Sequence, residues 1–251
     1  MRNWPYPRVV AHRGAGNFAP ENTIAAMKKG LEFGYRAVEF DVMLTSDLVP
    51  VLMHDPQLGR TVSARGGVAD TASSALLKMD AGSWFSAEYT GELVPLYRDV
   101  VRFCRDNEIW MNVEIKPAPG HAWATGEVVA EVTKSMFVDE PNPAHWPLFS
   151  SFEADSLKAA HATAPEIARC LLTDKRVPDD WAERLSALRC VAIDCNHLYL
   201  EPLTVAAIKK EGYGVCAYTI DTLERARQVF GWGVDALCTD RPDLIPADLK
   251  L

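Results

Sequence analysis

Short apolar runs alternate with helix-like segments along this 251-residue chain, and this alternation constrains the fold more than any other feature. Each run has the length and composition of a buried β-strand. Eight strands are predicted, at residues 8–12, 37–42, 109–115, 147–151, 168–172, 190–194, 214–219 and 236–239. Apolar residues recur at helical spacing between the strands, over residues 21–33, 96–107, 124–136, 155–162, 178–187, 201–210 and 222–230.

Strands that alternate with helices in this way predict a parallel sheet. At this length the prediction is an α/β fold, a (β/α)8 TIM barrel, with residues 1–251 forming a single domain. A doubly wound sheet is the alternative. It is disfavoured because no Gly-x-Gly-x-x-Gly follows the first strand, and because polar residues end many strands rather than meeting at one switch point. Asp221 is predicted to cap the last helix, with Glu224 three residues further on.

Two segments depart from the strand–helix repeat. Residues 50–54 follow the second strand after a short turn, and a parallel crossover needs a dozen or more residues. They are therefore predicted to return as a hairpin about Asp47, which brings His54 close to Glu39 and Asp41. Residues 56–95 contain no clear strand–helix unit and are predicted to form an insertion over the mouth of the barrel. The alternative is a structural excursion that points away from the mouth.

Composition and charge narrow the class of protein. The net charge of −8 disfavours a nucleic-acid binder, since such proteins present a basic surface. No apolar run approaches the roughly 18–20 residues that span a bilayer, and the N-terminal residues show no secretory signal. The six cysteines form no Cys-x-x-Cys pair and are predicted to be reduced core residues. We expect a cytoplasmic protein with a small-molecule partner, no nucleic-acid partner and no stable membrane anchor.

Carboxylates and cations gather at the ends of three predicted strands. Glu39 and Asp41 share one face of the second strand, and Glu114 and Lys116 share a face of the third. These faces are predicted to point into the barrel, where three buried carboxylates are unfavourable without compensation. A hard divalent cation, Mg²⁺ or Ca²⁺, is the expected partner. Salt bridges alone, for example between Glu114 and Arg13, are the alternative.

Two histidines are predicted at the same end of the barrel. His12 and His54 can divide general acid and general base work on a phosphodiester. The carboxylate of Asp55, next in the chain, can hold the His54 imidazole protonated. Arg13 and Lys116 are predicted to contact the phosphate, because guanidinium and ammonium groups suit its oxygens.

Seven motifs together resemble the glycerophosphodiester phosphodiesterases. They run in order over nearly the whole chain: His12-Arg13-Gly14, Pro20-Glu21-Asn22-Thr23, Glu39-Phe40-Asp41, His54-Asp55, Glu114-Ile115-Lys116, Ser150-Ser151-Phe152 and residues 233–240. The length, the missing signal and the stretch from Asp80 to Phe85 resemble the cytoplasmic bacterial branch of that family. One departure is Asp221, since many members have Asn there.

The resemblance implies a TIM barrel, a divalent cation on Glu39, Asp41 and Glu114, and catalytic roles for His12 and His54. It also matches Arg13 and Lys116 to the phosphate-contacting positions; Asn196 and Tyr218 are candidate substrate-lining residues, with strand-end packing as the alternative.

The implied activity is metal-dependent hydrolysis of a glycerophosphodiester to glycerol 3-phosphate and an alcohol, with water or the glycerol 2-hydroxyl as nucleophile. Two other functions stay open: a catalytically inactive barrel that binds such diesters, and a lipid phosphodiesterase or lyase of related fold.

Overall fold

The computed structural model describes residues 4–249, and within that range nine strands form one sheet. The strands are β1 (Val9–Ala11), β2 (Ala37–Leu44), β3 (Pro50–Leu52), β4 (Trp110–Ile115), β5 (Leu148–Ser151), β6 (Ala168–Thr173), β7 (Ala192–Asn196), β8 (Gly214–Tyr218) and β9 (Ala236–Thr239). The α-helices are α1 (Ile24–Glu32), α2 (Ser73–Leu76), α3 (Tyr97–Asp106), α4 (Ala122–Phe137), α5 (Ala154–Thr163), α6 (Trp181–Ala187), α7 (Pro202–Lys210) and α8 (Leu223–Trp232).

The sheet closes on itself as a barrel of parallel strands. Its order is β1-β9-β8-β7-β6-β5-β4-β2, and an additional parallel pairing of β1 with β2 completes the ring. Helices alternate with these strands along the chain. The molecule is therefore a (β/α)8 TIM barrel, as predicted, and the doubly wound alternative is wrong.

β3 is the one strand of the described sheet that runs antiparallel, and β2 is the strand with which it pairs. Val42 pairs with Leu52 and Leu44 with Pro50, a register centred on residue 47. The amide of Met53 then donates to the carbonyl of Asp41 over 3.2 Å. The predicted hairpin is confirmed, and it delivers the next residue, His54, to the ends of the barrel strands.

Strand alternation separates an apolar outer face from a polar interior. The side chains of Val38, Phe40 and Val42 are fully buried in the large cluster that the helices cover. The lower interior is filled by a separate cluster that includes Val10 and Leu148. This apolar layer closes the bottom of the barrel and leaves the polar side chains of β2 and β4 facing the cavity above it.

The predicted insertion, residues 56–95, has an apolar cluster of its own. Val62, Val68 and Leu76 pack with Met43 and Val51 of the hairpin. At its tip the insertion reaches the mouth of the barrel, where Trp84 and Phe85 help to line a cavity of about 280 Å³ together with His12, Arg13 and Asp240. The insertion therefore borders the barrel mouth, as predicted.

The start of α8 differs from the prediction. Thr222, not Asp221, is the cap residue, and its side-chain oxygen accepts from the amide of Arg225. Asp221 instead accepts from the amide of Asp240 over 2.8 Å and so joins the loops that follow β8 and β9. The prediction of Asp221 as the cap is wrong because a tertiary contact claims its carboxylate. Across residues 4–249 there is no helix with the length and hydrophobicity to cross a bilayer.

Candidate active site

A cavity of about 260 Å³ opens at the carboxyl ends of the barrel strands. Eight of the nine predicted site residues line it, namely His12, Arg13, Glu39, His54, Glu114, Lys116, Asn196 and Tyr218. The ninth, Asp41, lies at its edge in contact with Lys116. The structure thus brings residues from six separated parts of the sequence to one site.

Parallel pairing places the three acidic side chains side by side. Asp41 of β2 is in register with Glu114 of β4, and Glu39 lies one inward position lower on β2. One carboxylate oxygen from each residue lies within 4.8 Å of the others. All three side chains are buried or nearly so.

Each of the three carboxyl groups has a pKa that is shifted by its charged neighbours and by burial. Burial, together with the neighbouring Asp41 carboxylate, raises the pKa of Glu39 to about 7 and that of Glu114 to about 8. Burial also opposes the charge on Asp41, but Lys116 and Arg13 outweigh it and hold its pKa well below the usual range. Such mutual repulsion is relieved when a cation binds.

The donor set fits a hard divalent cation. In the part of the chain that is described, Glu39 Oε1 and Glu114 Oε1 are buried without a hydrogen-bond partner. Buried polar atoms are normally satisfied, so two carboxylate oxygens without a hydrogen bond in one acidic cluster indicate room for a ligand that accepts electron pairs. The donors are all oxygen, which suits Mg²⁺ or Ca²⁺ better than a soft metal.

His12 is held by a residue that the sequence analysis did not identify. Its Nδ1 lies 2.7 Å from Asp240 Oδ1, and its Nε2 lies 3.8 Å from Glu39 Oε2. Burial disfavours the imidazolium, but the hydrogen bond to Asp240 and the charge of Glu39 outweigh it and raise the pKa of His12 to about 9. Gly16 allows the contact: a Cβ there would sit 2.3 Å from the Cα of Asp240.

His54 is paired with Asp55, as predicted, through a 2.7 Å contact between Nδ1 and Oδ1. Burial lowers the pKa of His54, and the cations Arg13 and Lys116 act in the same direction, against the raising influence of Asp41 and Asp55. Asp55 also receives a 2.6 Å contact from Arg60, which shares its charge. The Asp55 contact therefore orients the His54 ring and favours its protonated form, while burial and the two cations lower its pKa.

The two cations lie on either side of Asp41. Lys116 Nζ is 3.1 Å from Asp41 Oδ1 and 3.5 Å from Glu114 Oε1. Arg13 Nε is 3.6 Å from Asp41 Oδ2, and its Nη1 donates to Glu21 over 2.9 Å. The backbone of Arg13 has a φ of 50°, an uncommon conformation for a side-chain-bearing residue. The alternative salt bridge between Arg13 and Glu114 is not among the ion pairs of the described residues.

Asn196 and Tyr218 line the opposite side of the cavity. The amide group of Asn196 donates to the carbonyl of Asp174 over 3.2 Å and accepts from the amide of Leu198 over 3.0 Å. The hydroxyl of Tyr218 donates to the carbonyl of Thr173 over 2.9 Å. Both side chains therefore also hold the loops at this rim in place.

The sequence predicted no role at the site for three further polar residues, although Asn22 and Asp240 lie in motifs that resemble the family. Asp240 holds His12. Asn22 donates to Asp41 Oδ2 over 2.8 Å and accepts from its amide over 3.0 Å. Asp194 lines the cavity from β7 and is 3 % exposed. Strand alternation could have signalled Asp194, because it shares the inward face with Asn196.

The fold and the site together define a barrel with a buried acidic cluster, two carboxylate-anchored histidines and two cations at one mouth. Comparison with known proteins gives the particular family: the glycerophosphoryl diester phosphodiesterase family matches residues 12–244. The chain belongs to this family.

Individual relatives cover nearly the whole chain. A curated protein of Caldanaerobacter subterraneus, named glycerophosphodiester phosphodiesterase, is 32 % identical over 94 % of this chain and 95 % of its own length. The solved structure of an Oleispira antarctica phosphodiesterase in complex with the product sn-glycerol-3-phosphate is similar, with a TM-score of 0.86 and 36 % identity, and the match covers 94 % of each chain. A glycerophosphodiester phosphodiesterase from Agrobacterium tumefaciens has a TM-score of 0.75 and 26 % identity, covering 97 % of this chain and 100 % of its own.

Proposed function

We propose that this protein hydrolyses glycerophosphodiesters to glycerol 3-phosphate and an alcohol, and that it needs a divalent cation, Mg²⁺ or Ca²⁺. The observation that carries the proposal is the meeting of the acidic cluster with both histidines and both cations in one cavity. The names of the relatives supply the substrate class.

Each charged group has a definite role in this proposal. Glu39, Asp41 and Glu114 hold the cation, which when bound neutralises charge on the phosphoryl oxygens and activates the nucleophile. Arg13 and Lys116 lie beside this cluster, where they bind and orient the anionic diester through charge-assisted hydrogen bonds.

His12 and His54 are the proton-transfer residues of the proposal. The Nδ1 atom of each imidazole is held by a carboxylate at 2.7 Å, which fixes the ring and leaves Nε2 to face the substrate. One histidine removes the proton of the nucleophile, and the other donates a proton to the leaving alkoxide. Asn196 and Tyr218 are proposed to line the organic part of the substrate.

We also propose that the protein works in the cytoplasm. All six cysteines lie in the described part of the chain and are free and buried, which is compatible with a reducing compartment.

The test is release of glycerol 3-phosphate from glycerophosphoethanolamine by the purified protein, before and after treatment with EDTA and after addition of Mg²⁺ or Ca²⁺. We expect turnover that EDTA abolishes and one of the two ions restores. Glu114→Gln should be inactive under all conditions. Glu127→Gln is the matched control, because Glu127 is exposed on α4, and it should behave like the wild type. Turnover that survives EDTA, or an active Glu114→Gln, would contradict metal dependence; absence of turnover with every ion would contradict the activity itself.

A further inference from the structure

The cavity has a second acidic wall that the proposed chemistry does not use. Asp194 lies on β7, and β7 is four strands from β2 in either direction around the closed sheet. It therefore faces the cavity from the side opposite Glu39 and Asp41. Its side chain is 3 % exposed, and its Oδ1 atom has no hydrogen-bond partner among residues 4–249.

The surroundings of Asp194 offer little compensation for its charge. Its register partners are Leu172 on β6 and Cys216 on β8, which are both apolar in character. Burial and the charge of Glu39 raise the pKa of Asp194 to about 7, and His12 with the backbone amide of Cys195 offsets this only in part. A buried carboxyl group with an unsatisfied oxygen is unfavourable for folding and so calls for a ligand.

That ligand is not the divalent cation. The carboxylate oxygens that lie within 4.8 Å of one another in the described structure belong to Glu39, Asp41 and Glu114, and Asp194 is outside this group. The phosphate is assigned to Arg13 and Lys116, whose positive charges suit it, and an ionised Asp194 would repel it. A neutral group that donates hydrogen bonds is the chemistry that satisfies a carboxyl oxygen without a new charge.

Another unsatisfied polar atom lies on the floor between the two walls. Ser150 on β5 is 1 % exposed, lines the same cavity, and its Oγ has no partner in the described range. Ser150 is in register with Glu114, so it sits beside the proposed cation-binding cluster. A hydroxyl can both donate and accept. Asp194 and Ser150 together can therefore satisfy a ligand that carries more than one hydroxyl group.

We propose that Asp194, assisted by Ser150, is the specificity-determining residue that binds the free hydroxyl groups of the glycerol arm. This rests on the proposed function, since it assigns the polyol end of the same substrate. With the phosphate at Arg13 and Lys116, the three-carbon arm crosses the cavity towards β7. A carboxyl group there accepts from a hydroxyl and discriminates against diesters whose arms lack one.

The experiment separates polyol recognition from phosphate recognition by using two pairs of ligands. Asp194→Asn is nearly isosteric and keeps the buried volume. For this variant we expect inhibition by glycerol 3-phosphate to weaken about tenfold to hundredfold, the size of a lost hydrogen bond to a charged group. Inhibition by inorganic phosphate should stay within about twofold. In the same way KM for glycerophosphoethanolamine should rise, while kcat/KM for bis(p-nitrophenyl) phosphate, which has no polyol, should not change.

The controls address folding and simple charge removal. Asp179→Asn removes an exposed carboxylate just before α6, outside the residues that line the cavity, and should leave all four constants unchanged. Ser150→Ala should weaken inhibition by glycerol 3-phosphate more than inhibition by phosphate, as Asp194→Asn does. The melting temperature of Asp194→Asn should equal or exceed that of the wild type, because a buried unsatisfied charge is removed; a residue needed only for structure would lower it.

Two outcomes would overturn the proposal. If inhibition by glycerol 3-phosphate and inhibition by inorganic phosphate weaken equally in Asp194→Asn, Asp194 belongs to the phosphate or cation site. If neither inhibition constant changes in Asp194→Asn, Asp194 does not contact the substrate. Failure of the wild type to turn over any glycerophosphodiester would contradict the proposed function instead. The Kd values of glycerol 3-phosphate and inorganic phosphate, measured by calorimetry for the wild type and Asp194→Asn, would still decide the role of Asp194.

Discussion

Each of the two histidines at the site is anchored by a carboxylate, but from different parts of the chain. His12 contacts Asp240, which follows the last strand, whereas His54 contacts the adjacent Asp55. His12 is flanked by acidic groups, and His54 also faces the cations Arg13 and Lys116. The pKa of His12 is therefore raised and that of His54 lowered, a difference that suits a division into acid and base.

Replacing either histidine tests that division. His12→Ala and His54→Ala should each lower kcat by roughly 10²–10⁴-fold, the usual size of a general acid–base contribution. The double variant should lose less than the product of the two, because both act on one transition state. A p-nitrophenyl diester of glycerol 3-phosphate has a leaving group that needs little protonation. It should restore the variant without the acid and not the variant without the base; equal rescue of both, or of neither, would contradict the division.

Lys116 allows a separate test of phosphate binding. Lys116→Met keeps most of the apolar stem and removes a charge-assisted contact of about 1.5–3 kcal/mol. That corresponds to a tenfold to hundredfold loss in kcat/KM, and inhibition by glycerol 3-phosphate and by inorganic phosphate should weaken in parallel. Lys134→Met, at an exposed ion pair with Glu166, is the control and should change neither constant. Unchanged phosphate inhibition in Lys116→Met would place the phosphate elsewhere in the cavity.

At the residue scale, the sequence predicted the site residues that strand alternation places on one face, and it missed residues whose role depends on a tertiary contact. Glu39, Asp41 and Glu114 were predictable because strand alternation puts them on one face. Asp240 was not, because its partner His12 is 228 positions away and the two meet only when β9 pairs with β1. The lowered pKa of His54 likewise depends on cations that the fold brings in from β1 and β4.

Among the elements, the insertion over residues 56–95 has the least regular structure and relies on polar contacts. Asp80 accepts four hydrogen bonds within this insertion. Its carboxylate accepts from the amides of Gly82, Ser83 and Gly91 at 2.7–2.9 Å, and from the Ser83 hydroxyl at 2.8 Å. Those contacts close the loop that carries Trp84 to the barrel mouth.

The Asp80 contacts predict a pH-dependent stability. Hydrogen bonds to backbone amides hold the pKa of Asp80 well below its usual value. A carboxyl group with a depressed folded-state pKa contributes stability above its unfolded pKa of about 3.9, and that contribution is lost as the pH falls towards the folded value. Asp80→Ala should therefore melt at a lower temperature than the wild type at pH 7. The difference should shrink below about pH 4; a difference that is constant with pH would contradict this account.

Element-level prediction succeeded where chain length decides the geometry. The short turn at residues 45–48 can only return antiparallel, so the hairpin and its register followed from the sequence. It failed where a side chain has two possible partners. Asp221 has the pattern of a helix cap, but the loop after β9 offers it the Asp240 amide, and Thr222 caps α8 instead. The assignment of residues 1–251 to a single domain stays a prediction.

On the scale of the whole molecule, the barrel concentrates unsatisfied charge at one end. Its bottom is filled by an apolar cluster, while Glu39, Glu114 and Asp194 lie buried near the top with free oxygens among the described atoms. Such groups lower the stability of the free protein, because desolvated carboxylates repel one another. A ligand that binds these carboxyl groups relieves their repulsion and so stabilises the folded protein. The free energy of unfolding therefore depends on the occupancy of the site.

This linkage predicts that the bound cation raises the melting temperature. A ligand that binds only the folded state stabilises it by about 2.7 kcal/mol at a hundred times its Kd. For a chain of this size each kcal/mol raises Tm by roughly 2–4 °C, so saturating Mg²⁺ or Ca²⁺ should raise Tm by roughly 5–11 °C over the EDTA-treated protein. Differential scanning fluorimetry across a metal titration measures this rise in Tm.

Glu39→Gln and Glu114→Gln should melt no lower than the wild type in EDTA, because repulsion between buried carboxylates is removed. Both variants should lose the metal-dependent rise in Tm. Asp99→Asn, which removes an exposed carboxylate on α3, should keep the full shift. A wild-type Tm that ignores both ions up to millimolar concentrations, or a shift that persists in both glutamine variants, would mean that the acidic cluster does not bind the cation.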